Sequence, residues 1–216
     1  GVGEFNDLNL LVDWSHQIGV KLIQILPIND TTATHSWMDT YPYAAISAFA
    51  LHPMYIHLPA LLHKGQENIL KPYQASIEKM NGLSEIDYES VMQLKWEVLH
   101  QLYSKNGKKD LASKEFQDFY NLNKNWLQSY SVFSYLREQY KTVDFNTWPK
   151  YTTYNQIEID ELVEKQYDAI AFYYYVQFHL HLQLAAATSY AHQKGIIVKG
   201  DIPIGVYRYG VDAWQN

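Results

Sequence analysis

Cysteine is absent from the 216 residues, so the chain has no disulfide framework and no thiolate chemistry. Arginine occurs only at Arg137 and Arg208. Lys and Arg together number 17 against 23 Asp and Glu, a formal charge of -6, which argues against a polyanionic partner such as DNA. No apolar run approaches the roughly 18 residues of a membrane-spanning helix. No signal-peptide pattern opens the chain, and Gly rather than Met stands at position 1, so a processed or excised piece is expected. Several catalytic signatures are missing as well. There is no HExxH or Cys cluster for zinc, and no GxSxG elbow for a serine nucleophile. GVGEF at the start has no strand before it and no GK[ST] after it, which argues against a phosphate loop.

What is present is aromatic and apolar. The chain is 47% apolar, enough for one sizeable core, and carries 19 Tyr and 6 Trp. Aromatic planes with polar handles suit sugar recognition, and they equally suit cores and interfaces. Residues 7 to 18 have a helical period, with Asp7 as the expected cap and Gly19 as the stop. VKLIQILPI reads as a strand of about six residues ended by Pro27. A long loop follows over 29 to 59, where 46 to 51 could hold a short helix; loops of this length are more often functional than idle. From about 81 to 194 the pattern is helical, with a turn expected near NLNKN and a connector over 141 to 160. One long final helix is expected from Glu161 to Lys194, stopped by Gly195. Within it FHLHLQL alternates like a strand, but its flanks favour helix. IIVKGDIP is a second buried strand. The fold class is α/β, with two strands bracketing a large helical insertion.

Nine histidines raise the question of a metal, but His179 and His181 are two apart and do not share a helix face. The remaining chemistry lies in carboxylates at strand ends: Asp30, Asp39 and Asp201. Each has an ordinary alternative, as a turn or helix cap. Asp201 has the best context, directly after IIVKG. Trp37, Tyr41 and Tyr43 flank Asp39 in SWMDTYPYAA, where they could stack on a sugar ring or simply anchor the loop.

Residues 20 to 58, VKLIQILPINDTTATHSWMDTYPYAAISAFALHPMYIHL, closely resemble the 4-alpha-glucanotransferases of glycoside hydrolase family 77, the amylomaltases and disproportionating enzymes. GVGEFNDL at 1 to 8 resembles the family's Gly-Ile-Gly-[Asp/Glu]-Phe segment. GDIPIGV at 200 to 206 with VDAW at 211 to 214 resembles its third-strand motif. The form of the Asp-Thr-Tyr-Pro-Tyr loop is most similar to the branch containing the plant cytosolic disproportionating enzyme.

The resemblance implies a (β/α)8 TIM barrel, here partial, with 1–80 and 195–216 in the barrel and 81–194 as a helical insertion subdomain. It implies a retaining transfer of alpha-1,4-glucan segments, no metal or organic cofactor, and a cytoplasmic setting. Expected partners are alpha-1,4-glucans, maltooligosaccharides or maltose, and the remainder of the same catalytic domain. Position by position it implies substrate-binding roles for Tyr43, Asp39 and Asp201, with Trp37 beside them; Ser47 to Ala50 and Trp214 would pack. The family's nucleophile belongs to an Arg-[Ile/Val]-Asp-His type segment on the fourth strand, its acid/base Glu to the fifth, and a stabilising Asp to the seventh. No Arg-x-Asp-His segment occurs here, so these 216 residues alone are expected to be inactive. The alternative is a non-catalytic glucan-binding or assembly module on the same scaffold.

Overall fold

The computed structural model describes residues 3–216, so Gly1 and Val2 of the GVGEF segment lie outside the described residues. Helix α1 (Asp7–Gln17) leads through Gly19, which takes the left-handed φ of +81° that favours glycine, into β1 (Leu22–Gln24). Asp7 sits inside the first turn of α1 rather than capping it; its carboxylate accepts the Glu4 N–H at 2.7 Å. The helical segment comprises α2 (Gln74–Asn81), α3 (Tyr88–Asp110), α4 (Lys114–Tyr140), α5 (Gln156–Lys165) and α6 (Tyr167–Gln193). Asp87, Ser113 and Asn155 cap α3, α4 and α5 through their side-chain oxygens. After α6 and Gly195 come β2 (Ile197–Lys199) and the short α7 (Val211–Gln215).

The two strands pair in parallel with Leu22 opposite Ile197, Ile23 opposite Val198 and Gln24 opposite Lys199. Among the described residues they form a two-stranded sheet that does not close into a barrel, and the chain is otherwise mostly helical. One face of the sheet packs on helices: Ile23 joins Val12 of α1, Ala191 of α6 and Ile196 in a small core. The other face leaves Leu22, Leu26 and Ile197 exposed. The main core is continuous from Phe5, Ile46 and Ile56 through Val98, Phe133 and Tyr175 to Trp214. Trp214 is wedged among Phe133, Trp148 and Tyr154, and its indole N–H donates to the Tyr151 carbonyl at 2.8 Å. No described helix is long and apolar enough to cross a membrane.

Several expectations are corrected. The strands run three residues each: the chain leaves the sheet after Gln24, ahead of Pro27, which has no N–H to give a ladder, and after Lys199 in β2. Residues 46 to 51 form no helix; their amides and carbonyls are already engaged elsewhere, and Leu51 makes an antiparallel bridge with Asn29. No turn breaks NLNKN, through which α4 runs uninterrupted. The last helix is two helices, α5 and α6, divided at Gln166. FHLHLQL is helical, as its flanks indicate.

Candidate functional site

Parallel pairing brings the carboxyl ends of β1 and β2 to one edge of the sheet, the edge where α/β proteins place their binding loops. Asp201 stands two residues beyond β2, and Tyr43 arrives from the loop after β1. The Tyr43 hydroxyl donates to Asp201 Oδ2 at 2.9 Å, and the bond pushes the phenol pKa up. Asp201 Oδ1 accepts its neighbour's N–H, from Ile202, at 2.9 Å. Both Tyr43 and Asp201 are half-buried. The Tyr41 ring lies 5.7 Å from that of Tyr43, and both Tyr41 and Trp37 expose more than half of their surface. A carboxylate, a phenol and accessible aromatic faces thus share one loop cluster, a composition fitted to a polyhydroxylated ring.

The other two carboxylates face inward. Asp39 is 4% exposed, and its oxygens accept from the Thr34 N–H, the Thr34 hydroxyl and the His35 N–H at 2.8 to 3.1 Å. Its backbone carbonyl takes the Thr31 hydroxyl. Of the four residues expected at a substrate, Asp39 is therefore the one whose carboxylate is occupied in shaping the loop itself. Asp30 is buried too, accepting the Thr32 N–H at 2.9 Å, the Thr32 hydroxyl at 2.6 Å and the Tyr130 hydroxyl at 2.7 Å.

Sequence reasoning missed the helical side chains that hold this loop. Arg137, almost fully buried, donates to the Thr32 carbonyl at 2.7 Å. Its neighbour Glu138 meets the His35 ring at 2.8 Å. Burial would raise the Glu138 pKa, but the hydrogen bond from His35 and the Arg137 charge outweigh it and hold the carboxyl at about 2. Glu89 accepts the Trp37 N–H at 2.7 Å. On α6, Gln177 grips both the N–H and the C=O of Leu51, and Gln183 does the same to His57. Lys95, 4% exposed, donates to the Met54 and Ile56 carbonyls and to Glu4. One signal was legible: Arg137 follows Phe133 and Leu136 on an apolar helix face, where a charge demands a partner.

Behind Tyr43, Ser47 and Ala50 are buried, and the Ala48 N–H donates to Asp212 of α7 at 2.7 Å. Gly210 lies so close that an added Cβ would stand 2.7 Å from the Ile46 carbonyl oxygen. A retaining glycosidic transfer needs two facing carboxylates about 5 Å apart. Asp201 meets a phenol, while the carboxylates of Asp30 and Asp39 are engaged by the loop. Among the described residues no group of three His, Cys, Asp or Glu side chains could hold a metal ion. A cavity of about 490 Å³ between α2, α3 and the Glu4 region is walled by aliphatic side chains such as Leu58, Ile77 and Leu94 and by charged ones, among them Glu4, Asp87 and Lys95. No Trp, Tyr or Phe lines it, and neither Tyr43 nor Asp201 does.

Known proteins resemble the chain from end to end. The rice (Oryza sativa subsp. japonica) 4-alpha-glucanotransferase DPE2 is 40% identical over 99% of this chain, which covers 23% of that protein. The 4-alpha-glucanotransferase of Chlamydia pneumoniae is 31% identical over 99% of this chain and 40% of its own length. The chain therefore spans between about a quarter and two-fifths of these relatives. In fold it is similar to the amylomaltase of Streptococcus agalactiae solved with acarbose, with a TM-score of 0.79 at 21% identity over 96% of this chain and 41% of that one. The family model described as 4-alpha-glucanotransferase matches residues 1–216, and the chain belongs to that family, glycoside hydrolase family 77.

Proposed function

We propose that the chain is part of a 4-alpha-glucanotransferase that transfers alpha-1,4-glucan segments between maltooligosaccharides or glucans by a retaining double displacement. The observation that carries this reading is the Tyr43–Asp201 contact at the carboxyl ends of two parallel strands, within a chain matched by the family over its whole length. Tyr43 and Asp201 bind sugar hydroxyls, Trp37 offers an exposed ring face, and Asp39 fixes the loop that presents them. The acarbose-bound amylomaltase supports a glucan as the occupant.

The same reading extends the sheet to a (β/α)8 barrel. Parallel sheets are normally covered on both faces, and here the face carrying Leu22, Leu26 and Ile197 is bare. Residues 1–80 and 195–216 belong to the barrel and 81–194 to a helical insertion that shares its core. The setting is cytoplasmic, as in the branch that the loop resembles. The nucleophile and acid/base come from the remainder of the catalytic domain, so the 216 residues alone carry out no transfer.

Maltotriose disproportionation tests both parts. In the full-length enzyme, Tyr43→Phe and Asp201→Asn are each expected to raise KM about tenfold, the loss of one hydrogen bond to a charged group. Unchanged kinetics in both variants would remove Tyr43 and Asp201 from the sugar site. Turnover by the 216-residue polypeptide alone would overturn the assignment of the reactive carboxylates. Glucan binding without turnover by the full-length protein would favour a binding module instead.

A further inference from the structure

We infer that the helical segment positions the sugar-facing loop through a polar stripe on α4 and is thereby a determinant of glucan affinity without touching glucan. Tyr130, Arg137 and Glu138 lie seven and eight residues apart, which puts them on one face of the helix. They meet successive loop residues in order: Tyr130 bonds Asp30, Arg137 bonds Thr32, and Glu138 bonds His35. Glu89 of α3 continues the series at Trp37. The Asp30 backbone passes the constraint on, accepting from Ile46 N–H at 2.8 Å and donating to the Ala50 carbonyl at 2.8 Å. Asp39 fixes the turn between, so the loop from Asp30 to Ile46 is tied at both ends, and Tyr43 meets Asp201 from a loop anchored on α4.

The chemistry of the stripe favours positioning over stability. Tyr130, Arg137 and Asp30 are each at most 2% exposed. Buried, hydrogen-bonded charges contribute little net stability compared with apolar side chains of the same size, while each bond still fixes a direction. An apolar helix face would hold the core equally well and leave the loop free to shift.

The inference rests on the reading of Tyr43 and Asp201 as sugar-facing, and the test separates the two. In the full-length enzyme, Tyr130→Phe removes only the hydroxyl, which donates to Asp30 at 2.7 Å and accepts from Gln177 at 3.3 Å. Tyr103→Phe is the control: it removes a hydroxyl bond to the Asp168 carbonyl, within the helical segment and away from the loop. Tyr130→Phe is expected to raise KM for maltotriose about tenfold with kcat changed less than about threefold, and Tyr103→Phe to leave both within about twofold. Amide hydrogen exchange at Thr32, Thr34 and His35 is expected to quicken only in Tyr130→Phe. Should that variant fail to fold, Glu138→Gln, at the half-exposed end of the stripe, is expected to show the same split at a smaller size. Equal KM in the Tyr130→Phe variant and wild type, with unchanged exchange in the loop, would overturn the inference. A raised KM in Tyr130→Phe beside unchanged KM in Tyr43→Phe would keep the positioning role and remove Tyr43 from the sugar.

Discussion

Two segments leave the carboxyl ends of the two strands, and they are held in opposite ways. The loop after β1 has little regular structure, yet it buries Asp30, Thr31, Thr32, Asp39, Ser47 and His52 and bonds their polar atoms within itself or to α3 and α4. The segment after β2 does the reverse, with Ile202, Ile204 and Val206 between 72% and 92% exposed. Satisfied buried polar groups therefore hold a segment that has little regular structure, because each unpaired group would cost its full desolvation. The Tyr43–Asp201 bond joins a residue whose loop is tied to the helices to one at the start of a largely exposed segment, so the β1 loop is the reference frame of the cluster.

The largest test of that comparison is Lys95. Lys95→Met in the full-length protein leaves the Met54 and Ile56 carbonyls without their donor and Glu4 with only His57, and a loss of about 3 kcal/mol is expected in urea unfolding. A loss below about 1 kcal/mol would mean that this loop draws its order from elsewhere. Asp39→Asn comes next. An amide in place of the carboxylate points donors at the donors of Thr34 and His35, and a local cost of about 1–3 kcal/mol is expected, read as faster hydrogen exchange at those two amides. Wild-type protection there would break the comparison.

The smallest effect is pH-dependent. Glu138 has a folded pKa of about 2, below its unfolded value of about 4.3. Its contribution is complete above the unfolded value and is lost as pH falls toward 2. Glu138→Gln is thus expected to be less stable than wild type at pH 6 and to converge with it in acid, as followed by unfolding at a series of pH values. A stability difference independent of pH would show that the His35 contact does not depend on the Glu138 charge.

Helical periodicity located the long helices, because their apolar residues recur where one face meets the core. It misjudged breaks that depend on single side chains. Within NLNKN, Asn123 bonds back to the Phe119 carbonyl and accepts the Trp126 indole N–H, so a turn-prone residue is absorbed into α4. The boundary at Gln166 carries no Gly or Pro to announce it. Tyr43 and Asp201 were legible through motif likeness, although 158 positions separate them. Tyr130, Gln177 and Gln183 were not, since nothing local distinguishes a core tyrosine or a helix glutamine that happens to face a loop.

By itself the sequence determined the family, the helical course of most of the chain, the two strands and the aromatic, acid-bearing loop between them. These follow from local composition, from motif order and from periodicities that the backbone imposes on each element separately. Only the tertiary structure decided which acids remain available. Asp30, Asp39 and Asp201 are the same kind of residue in similar loops, but the donors that reach the first two arrive from Tyr130 and from the loop's own backbone once the chain has closed on itself. Asp201 instead meets Tyr43 at the half-buried edge beyond the strands. Hydrogen-bond saturation depends on what lies within 3 Å in space, and sequence separation carries no record of that distance.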